Sequence, residues 1–228
     1  TYDLKVDIDL FLSTTDSDVE AQVLKRLKKK KVSHEAIKTI LRQQPKPAEK
    51  KRGLQTGLKF KSNGKNYSYA LYLPEKISLS NPLPMAIVLH GMGGSGDNTV
   101  AKWAERLNKD FIVLCPSYPM GAWWARPAED MVLALIDHIR SLYNVDDNRV
   151  FLAGLSNGAI GVYTIGMFYP DRFAGLIPIA GSITPRFMNF LVNLRNTPIY
   201  MIQGAHDPIF PIQLSRRTNQ ILSDMRYP

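Results

Sequence analysis

The sequence predicts an α/β fold: a mostly parallel sheet with helices on both faces, preceded by an N-terminal arm built of a strand and a helical pair. Three features point to it. From residue 54 onward short apolar runs at 85–89, 111–115, 150–153, 176–180 and 199–202 each lead into a helical pattern. The runs are apolar at successive positions rather than alternate ones, as expected of strands covered on both faces. The first 53 residues follow a different pattern and end in a polar, proline-bearing stretch.

Composition sets the outer limits. The chain has 228 residues, 45% hydrophobic and 21% charged, which suits one large domain or a domain with an appendage. Cys115 is the single cysteine, which excludes an intramolecular disulfide framework and a multi-cysteine zinc site. No apolar run approaches the ~18–20 residues that a membrane span needs. The net charge of +9 is concentrated: twelve lysines or arginines lie between residues 21 and 53 against only Glu35 and Glu49. No aromatic residue interleaves with the lysines at 28–31, so the run reads as a solvated helix face and no nucleic-acid partner is expected. The first residue is Thr1, so neither an exported nor a cytoplasmic location is read from the beginning of the sequence.

The arm is read element by element. Tyr2, Leu4, Val6, Ile8, Leu10 and Leu12 alternate with Asp3, Lys5, Asp7 and Asp9, broken only by Phe11, and this period of two predicts a strand. Ser17 and Glu20 have the spacing of a capping box, followed by an apolar stripe of Val19, Val23, Leu24 and Leu27. A second helix after Ser33 would place Ala36, Ile37, Ile40 and Leu41 on one face. Residues 44–53 read as a linker, which divides the chain into an accessory arm, 1–53, and a body, 54–228.

The body opens with an expected hairpin, strands near 54–60 and 66–73 joined at Ser62, Asn63, Gly64 and Lys65. Helical patterns then fall near 97–108, 127–143, 157–169, 184–194 and 211–224. In open sheets of this kind chemistry gathers at the carboxyl ends of the strands, and three strand ends carry informative residues.

After the 85–89 run comes His90-Gly91-Met92-Gly93-Gly94-Ser95-Gly96. Residues 91–96 match the G-x-G-x-x-G of a dinucleotide site, but that site also needs an acidic residue at the end of the next strand. Cys115-Pro116-Ser117 stands there instead. No Gly-Lys-Ser/Thr closes the loop, so it is not a P-loop either. What remains is a glycine-rich loop with backbone amides suited to holding negative charge at a helix start.

The 150–153 run leads into Gly154-Leu155-Ser156-Asn157-Gly158, a G-x-S-x-G between a strand and a helix. Such a turn lifts a serine hydroxyl clear of the sheet, and the following amide, on Asn157, is aimed at a developing oxyanion. After the 199–202 run comes Gly204-Ala205-His206-Asp207-Pro208, where a carboxylate at a strand end can orient a histidine.

These three stretches, in this order, resemble the α/β-hydrolase superfamily. Within it they are similar to small serine esterases of the feruloyl-esterase, polyhydroxybutyrate-depolymerase and phospholipase/carboxylesterase kind. Tyr143-Asn144-Val145-Asp146 and Tyr169-Pro170-Asp171-Arg172-Phe173-Ala174-Gly175 carry the same resemblance. It covers about residues 65–225 and nothing before 54.

The resemblance implies Ser156 as nucleophile, Asp207 as the acid of a Ser-Asp-His triad, and the amides of Met92 and Asn157 as an oxyanion hole. The reaction implied is hydrolysis of a carboxylic ester, small or polymer-derived, through an acyl-enzyme, with no metal or organic cofactor. A serine peptidase of related fold and a catalytically inactive binding protein are the alternatives. The family's histidine lies one strand beyond the acid, and none of His34, His90, His138 and His206 stands there, so the base is expected outside this sequence. Tyr118, Trp123 and Trp124 follow the 111–115 run and are candidates for lining a substrate pocket, with Arg126 beside them as a possible partner for a carboxylate. Cys115 is expected to pack as a small apolar side chain.

Overall fold

The computed structural model describes residues 3–14, 16–42, 51–62, 64–76 and 82–225. They fall into two compact units, Thr1–Lys46 and Pro47–Pro228.

The first unit holds three helices, α1 (Leu4–Ser13), α2 (Ser17–Lys29) and α3 (His34–Arg42). The strand expected over residues 2–12 is therefore a helix; Tyr2 lies outside the described residues. Helical spacing buries Asp7 and Ile8 and half-buries Leu4 and Phe11, leaving Val6, Leu10 and Leu12 exposed. Phe11, which broke the alternation, belongs to this helical face. The polar residues complete the case for a helix. Asp3 caps α1 by accepting from the Lys5 amide at 3.0 Å, and Lys5 pairs with Asp9 one turn on. Asp7, largely buried, binds Arg26 of α2 at 2.7 Å. Asp16 rather than Ser17 caps α2, accepting from the amides of Asp18 and Val19. Its apolar stripe is narrower than expected, with Val23 buried and Leu24 exposed.

The second unit is a six-stranded sheet with the order β1-β2-β4-β3-β5-β6. Its strands are β1 (Gly53–Ser62), β2 (Lys65–Leu73), β3 (Leu83–Leu89), β4 (Ile112–Ser117), β5 (Val145–Leu155) and β6 (Gly175–Ile179). The β1/β2 hairpin pairs antiparallel with Ser62 opposite Lys65, and β2 runs antiparallel to β4. The pairs β3/β4, β3/β5 and β5/β6 are parallel.

Alternation within the strands divides their side chains between two cores. Leu71, Leu73, Met85, Ile87, Leu89, Ile112, Leu114, Val150 and Leu152 pack with α5 (Arg126–Leu142) and α6 (Asn157–Phe168). Ala70, Tyr72, Val88, Val113, Cys115 and Ala153 pack on the other face with Val100 and Ala104 of α4 (Gly96–Arg106). Cys115 is fully buried there, and burial pushes its thiol pKa up, away from reactivity. Among the described residues no helix is long and apolar enough to cross a membrane.

Two late elements differ from expectation. Residues Pro185–Leu194 wind as 3-10 turns rather than one α-helix. The 199–202 run joins β6 through bridges at Leu176–Ile199 and Ile179–Ile202 instead of a continuous ladder. Pro178, mid-strand in β6, has no N–H to donate, which interrupts the pairing between them. The chain then turns through 204–210 into α7 (Ile212–Asp224).

Candidate active site

Ser156 sits at the junction of β5 and α6 with φ 56° and ψ −118°, a left-handed conformation rare for a side-chain-bearing residue. Close packing on either side holds it there. A Cβ at Gly158 would lie 2.1 Å from the Leu89 carbonyl oxygen, and one at Gly154 would lie 2.4 Å from the Gly158 carbonyl oxygen. Only glycine lets the first turn of α6 approach β3 and β5 this closely. The Ser156 amide donates to the Ile179 carbonyl at 2.9 Å, and the Ala180 amide donates to the Ile202 carbonyl at 2.8 Å. Backbone bonds thus tie the turn to the end of β6 and to the segment that leads to Asp207.

The glycine-rich loop comes down beside the serine. A Cβ at Gly91 would lie 3.4 Å from Ser156 Cβ and 4.0 Å from Ser156 Oγ. The loop closes on itself through the Gly94 amide, which donates to the Gly91 carbonyl at 3.1 Å. Neither the Met92 amide nor the Asn157 amide donates to an acceptor among the described residues. The Asn157 side chain is buried and donates from Nδ2 to the Met120 carbonyl at 3.1 Å.

His90 organises the opposite wall. Its Nδ1 donates to the Gly91 carbonyl at 2.7 Å, and its Nε2 accepts from the Tyr118 amide at 3.1 Å. Those partners require the Nδ1–H tautomer. Burial holds the imidazole pKa below its ordinary value, partly offset by the Gly91 carbonyl. With both nitrogens engaged and the neutral form favoured, His90 is a structural post, not a base in waiting.

Asp207 is held by its own turn. Its Oδ1 accepts from the amides of Ile209 and Phe210, each at 2.9 Å, and its Oδ2 accepts from Gln203 Nε2 at 3.0 Å. The Phe210 and Ile209 amides keep its carboxyl below the ordinary carboxylate range, so it is ionised at neutral pH. His206 beside it is exposed, His138 packs against Phe60 on α5, and His34 begins α3.

The aromatic candidates separate. Tyr118 lines a cavity with Tyr67, Gly93 and Met120. Trp123 does not: it is fully buried, its Nε1 donates to the His90 carbonyl at 2.8 Å, and its ring meets the His90 ring edge to face. The indole N–H found its partner inside the molecule, so this side chain braces the loop instead of facing a pocket. Trp124 is partly exposed and stands outside that cavity. Arg126 is paired with Asp130 at 3.0 Å and Glu129 at 3.3 Å, so its charge is already matched.

Sequence reasoning passed over Met120 and Gly121. Gly121 has φ 63°, and a Cβ there would lie 3.0 Å from the Gly91 carbonyl oxygen. The Pro119-Met120-Gly121 stretch was the available signal, a turn closing directly behind a strand end.

Comparison with known proteins finds esterases. The family model described as phospholipase/carboxylesterase matches residues 126–226. The chain is 27% identical over 139 residues to acetylxylan esterase A of Emericella nidulans, covering 54% of this chain and 44% of that protein. It is 25% identical over 150 residues to a bifunctional acetylxylan esterase/xylanase of Neocallimastix patriciarum, covering 63% and 22% respectively. The chain thus spans less than half the length of these curated relatives. Among solved structures, a thermostable esterase superposes with TM-score 0.63 at 27% identity, covering 75% of this chain and 52% of that one. The acetyl xylan esterase of Aspergillus awamori shares the fold, with TM-score 0.60 at 18% identity over 77% of this chain and 81% of that one. The chain has the fold of the α/β-hydrolases, and its sequence is similar to esterases.

Proposed function

We propose that residues 54–228 form the body of a serine hydrolase of carboxylic esters, with residues 1–53 as an accessory arm. The observation that carries the proposal is the Ser156 turn: a serine at positive φ between β5 and α6, its Oγ beside the Gly91 loop. Similarity to esterases supports the reaction class.

In this reading Ser156 Oγ attacks the ester carbonyl carbon as its proton passes to a general base. The carbonyl oxygen becomes an oxyanion held by the amides of Met92 and Asn157. The C–O bond to the alcohol breaks, the base returns the proton to the departing oxygen, and a serine ester remains. Water, deprotonated by the same base, attacks that ester and releases the acid and the free serine. The base is a histidine oriented by Asp207, and it is not His90. Supporting this, His90 has both nitrogens bonded. General-base catalysis contributes about 10²–10⁴ in rate, so the histidine decides the activity.

The test is fluorophosphonate labelling of the full-length protein, with hydrolysis of 4-nitrophenyl acetate in parallel. Labelling that maps to Ser156 and disappears in Ser156→Ala supports the proposal. Full-length protein that neither labels nor hydrolyses the ester would make this an inactive binding protein of the same fold, and cleavage of peptides in preference to esters would make it a peptidase.

A further inference from the structure

Beside the glycine-rich loop lies a cavity of about 700 Å³ between the β1/β2 hairpin and the end of β4. It shares the glycine-rich loop with the candidate active site. Gly93 and Gly94 form one side, and Met120, whose carbonyl holds the Asn157 side chain, forms another. Tyr67 and Tyr118 stack side by side in its wall, with ring centroids 6.3 Å apart and planes within 18°. Burial, with the Tyr67 hydroxyl as a lesser cause, raises the Tyr118 pKa, so the hydroxyl is neutral at working pH.

Charge singles the cavity out. Among the described residues lining it, Lys65 is the one that is charged, and none is a carboxylate. Behind the wall, Lys59 Nζ donates to Ser68 Oγ at 2.9 Å, and Ser68 lines the cavity, so a second ammonium faces it through a hydroxyl. Neither lysine has an acidic partner among the described residues, whereas Lys109 is paired with Glu105 and Arg126 with Asp130. An aromatic slot with unmatched positive charge at its rim suits a short carbon chain or ring that ends in an anion.

We propose that this cavity is a subsite for a carboxylate carried on the ester substrate, with Lys65 as the specificity-determining residue and Tyr67 and Tyr118 packing the carbon skeleton that links carboxylate to ester. The proposal rests on the ester-hydrolase reading and narrows it to esters with one free acid group.

The experiment compares 4-nitrophenyl monoesters of succinate, glutarate and adipate with the same esters methylated at the distal carboxyl, using the full-length protein. For at least one chain length, kcat/KM for the free acid should exceed that of its methyl-capped partner by about tenfold at low salt. Added sodium chloride should shrink the ratio, because the ammonium is exposed. Lys65→Gln should bring the ratio close to one through KM, and Lys65→Glu should invert it. Titration of Ser156→Ala protein with the dianion of the preferred diacid, followed by tyrosine fluorescence, reads binding without turnover, and Lys65→Gln should abolish the response. Equal or faster cleavage of the capped esters, or a ratio unchanged in Lys65→Gln, overturns the subsite while leaving the hydrolase reading standing. Diacid binding without any esterase activity overturns the hydrolase reading and keeps the carboxylate site.

Discussion

The indole N–H of Trp123 donates to the His90 carbonyl at 2.8 Å, and the two rings meet edge to face with centroids 4.9 Å apart. His90 in turn receives the Tyr118 amide and bonds the Gly91 carbonyl, so a single residue ties the segment after β4 to the loop beside Ser156. Positioning of the Met92 amide depends on this brace.

Trp123→Phe therefore tests the brace. It keeps an aromatic ring but leaves the buried His90 carbonyl without its donor, which costs about 1–3 kcal/mol. Urea denaturation should show that loss. Esterase activity should fall more steeply than the folded fraction, through kcat, as the loop loosens.

His90 also sets a pH dependence. Its folded pKa lies below the ordinary histidine value of about 6.5 because the imidazole is buried. The unfolded chain then binds the proton more readily, so this contribution to stability is present above that value and is lost as pH falls towards the depressed one. Thermal unfolding midpoints measured from pH 7.5 down to 5 should drop, and His90→Gln should flatten that part of the curve at a lower overall midpoint.

Gly158→Ala tests the close approach at the elbow. The added methyl would lie 2.1 Å from the Leu89 carbonyl oxygen, a backbone atom that cannot swing aside. Overpacking of this kind costs about 1–3 kcal/mol or more. Chemical denaturation should show that cost, with fluorophosphonate labelling of Ser156 reduced in the fraction that still folds.

Asp207→Asn separates charge from shape. Asn can still accept from the Ile209 and Phe210 amides through Oδ1, while its Nδ2 replaces the oxygen that accepts from Gln203, so the turn should survive with a modestly lower thermal midpoint. Activity should fall by about 10³–10⁴, the scale on which a triad loses its oriented imidazole. A variant that keeps full kcat/KM would remove Asp207 from the mechanism.

Arg26→Met probes the first unit. Asp7 is largely buried and bonded to Arg26, so removing the cation leaves a carboxylate with its main counter-charge gone. Loss of a buried partner costs up to about 3–5 kcal/mol, less here because Arg26 is partly exposed. Circular dichroism of the full-length protein should show loss of helix at low temperature, with esterase activity retained.

How much of this was legible varied with the kind of signal. The turn at 154–158 and the alternation of strand and helix were readable because they rest on local sterics and on runs buried on both faces. The segment at 2–12 was not. Its residues satisfy a period of two and a period near 3.6, and the choice was made by Asp3 capping, the Lys5–Asp9 pair and the Asp7 contact with Arg26. Trp123 and Tyr118 follow the same strand end, yet one turned inward to a carbonyl and the other faced the cavity. Aromatic identity carries no direction, so their roles could not be told apart in advance.

The order of residues alone determined the sheet and the elbow, because strand burial and a glycine-flanked turn are properties of short contiguous segments. The tertiary structure decided the rest: that His90 is consumed as a post, that Trp123 braces it, and that Lys65 lines one cavity with a stacked tyrosine pair beside the loop. Those relationships join residues from separate strands and loops, and their energies depend on distance in space, which the spacing of letters along a chain does not encode.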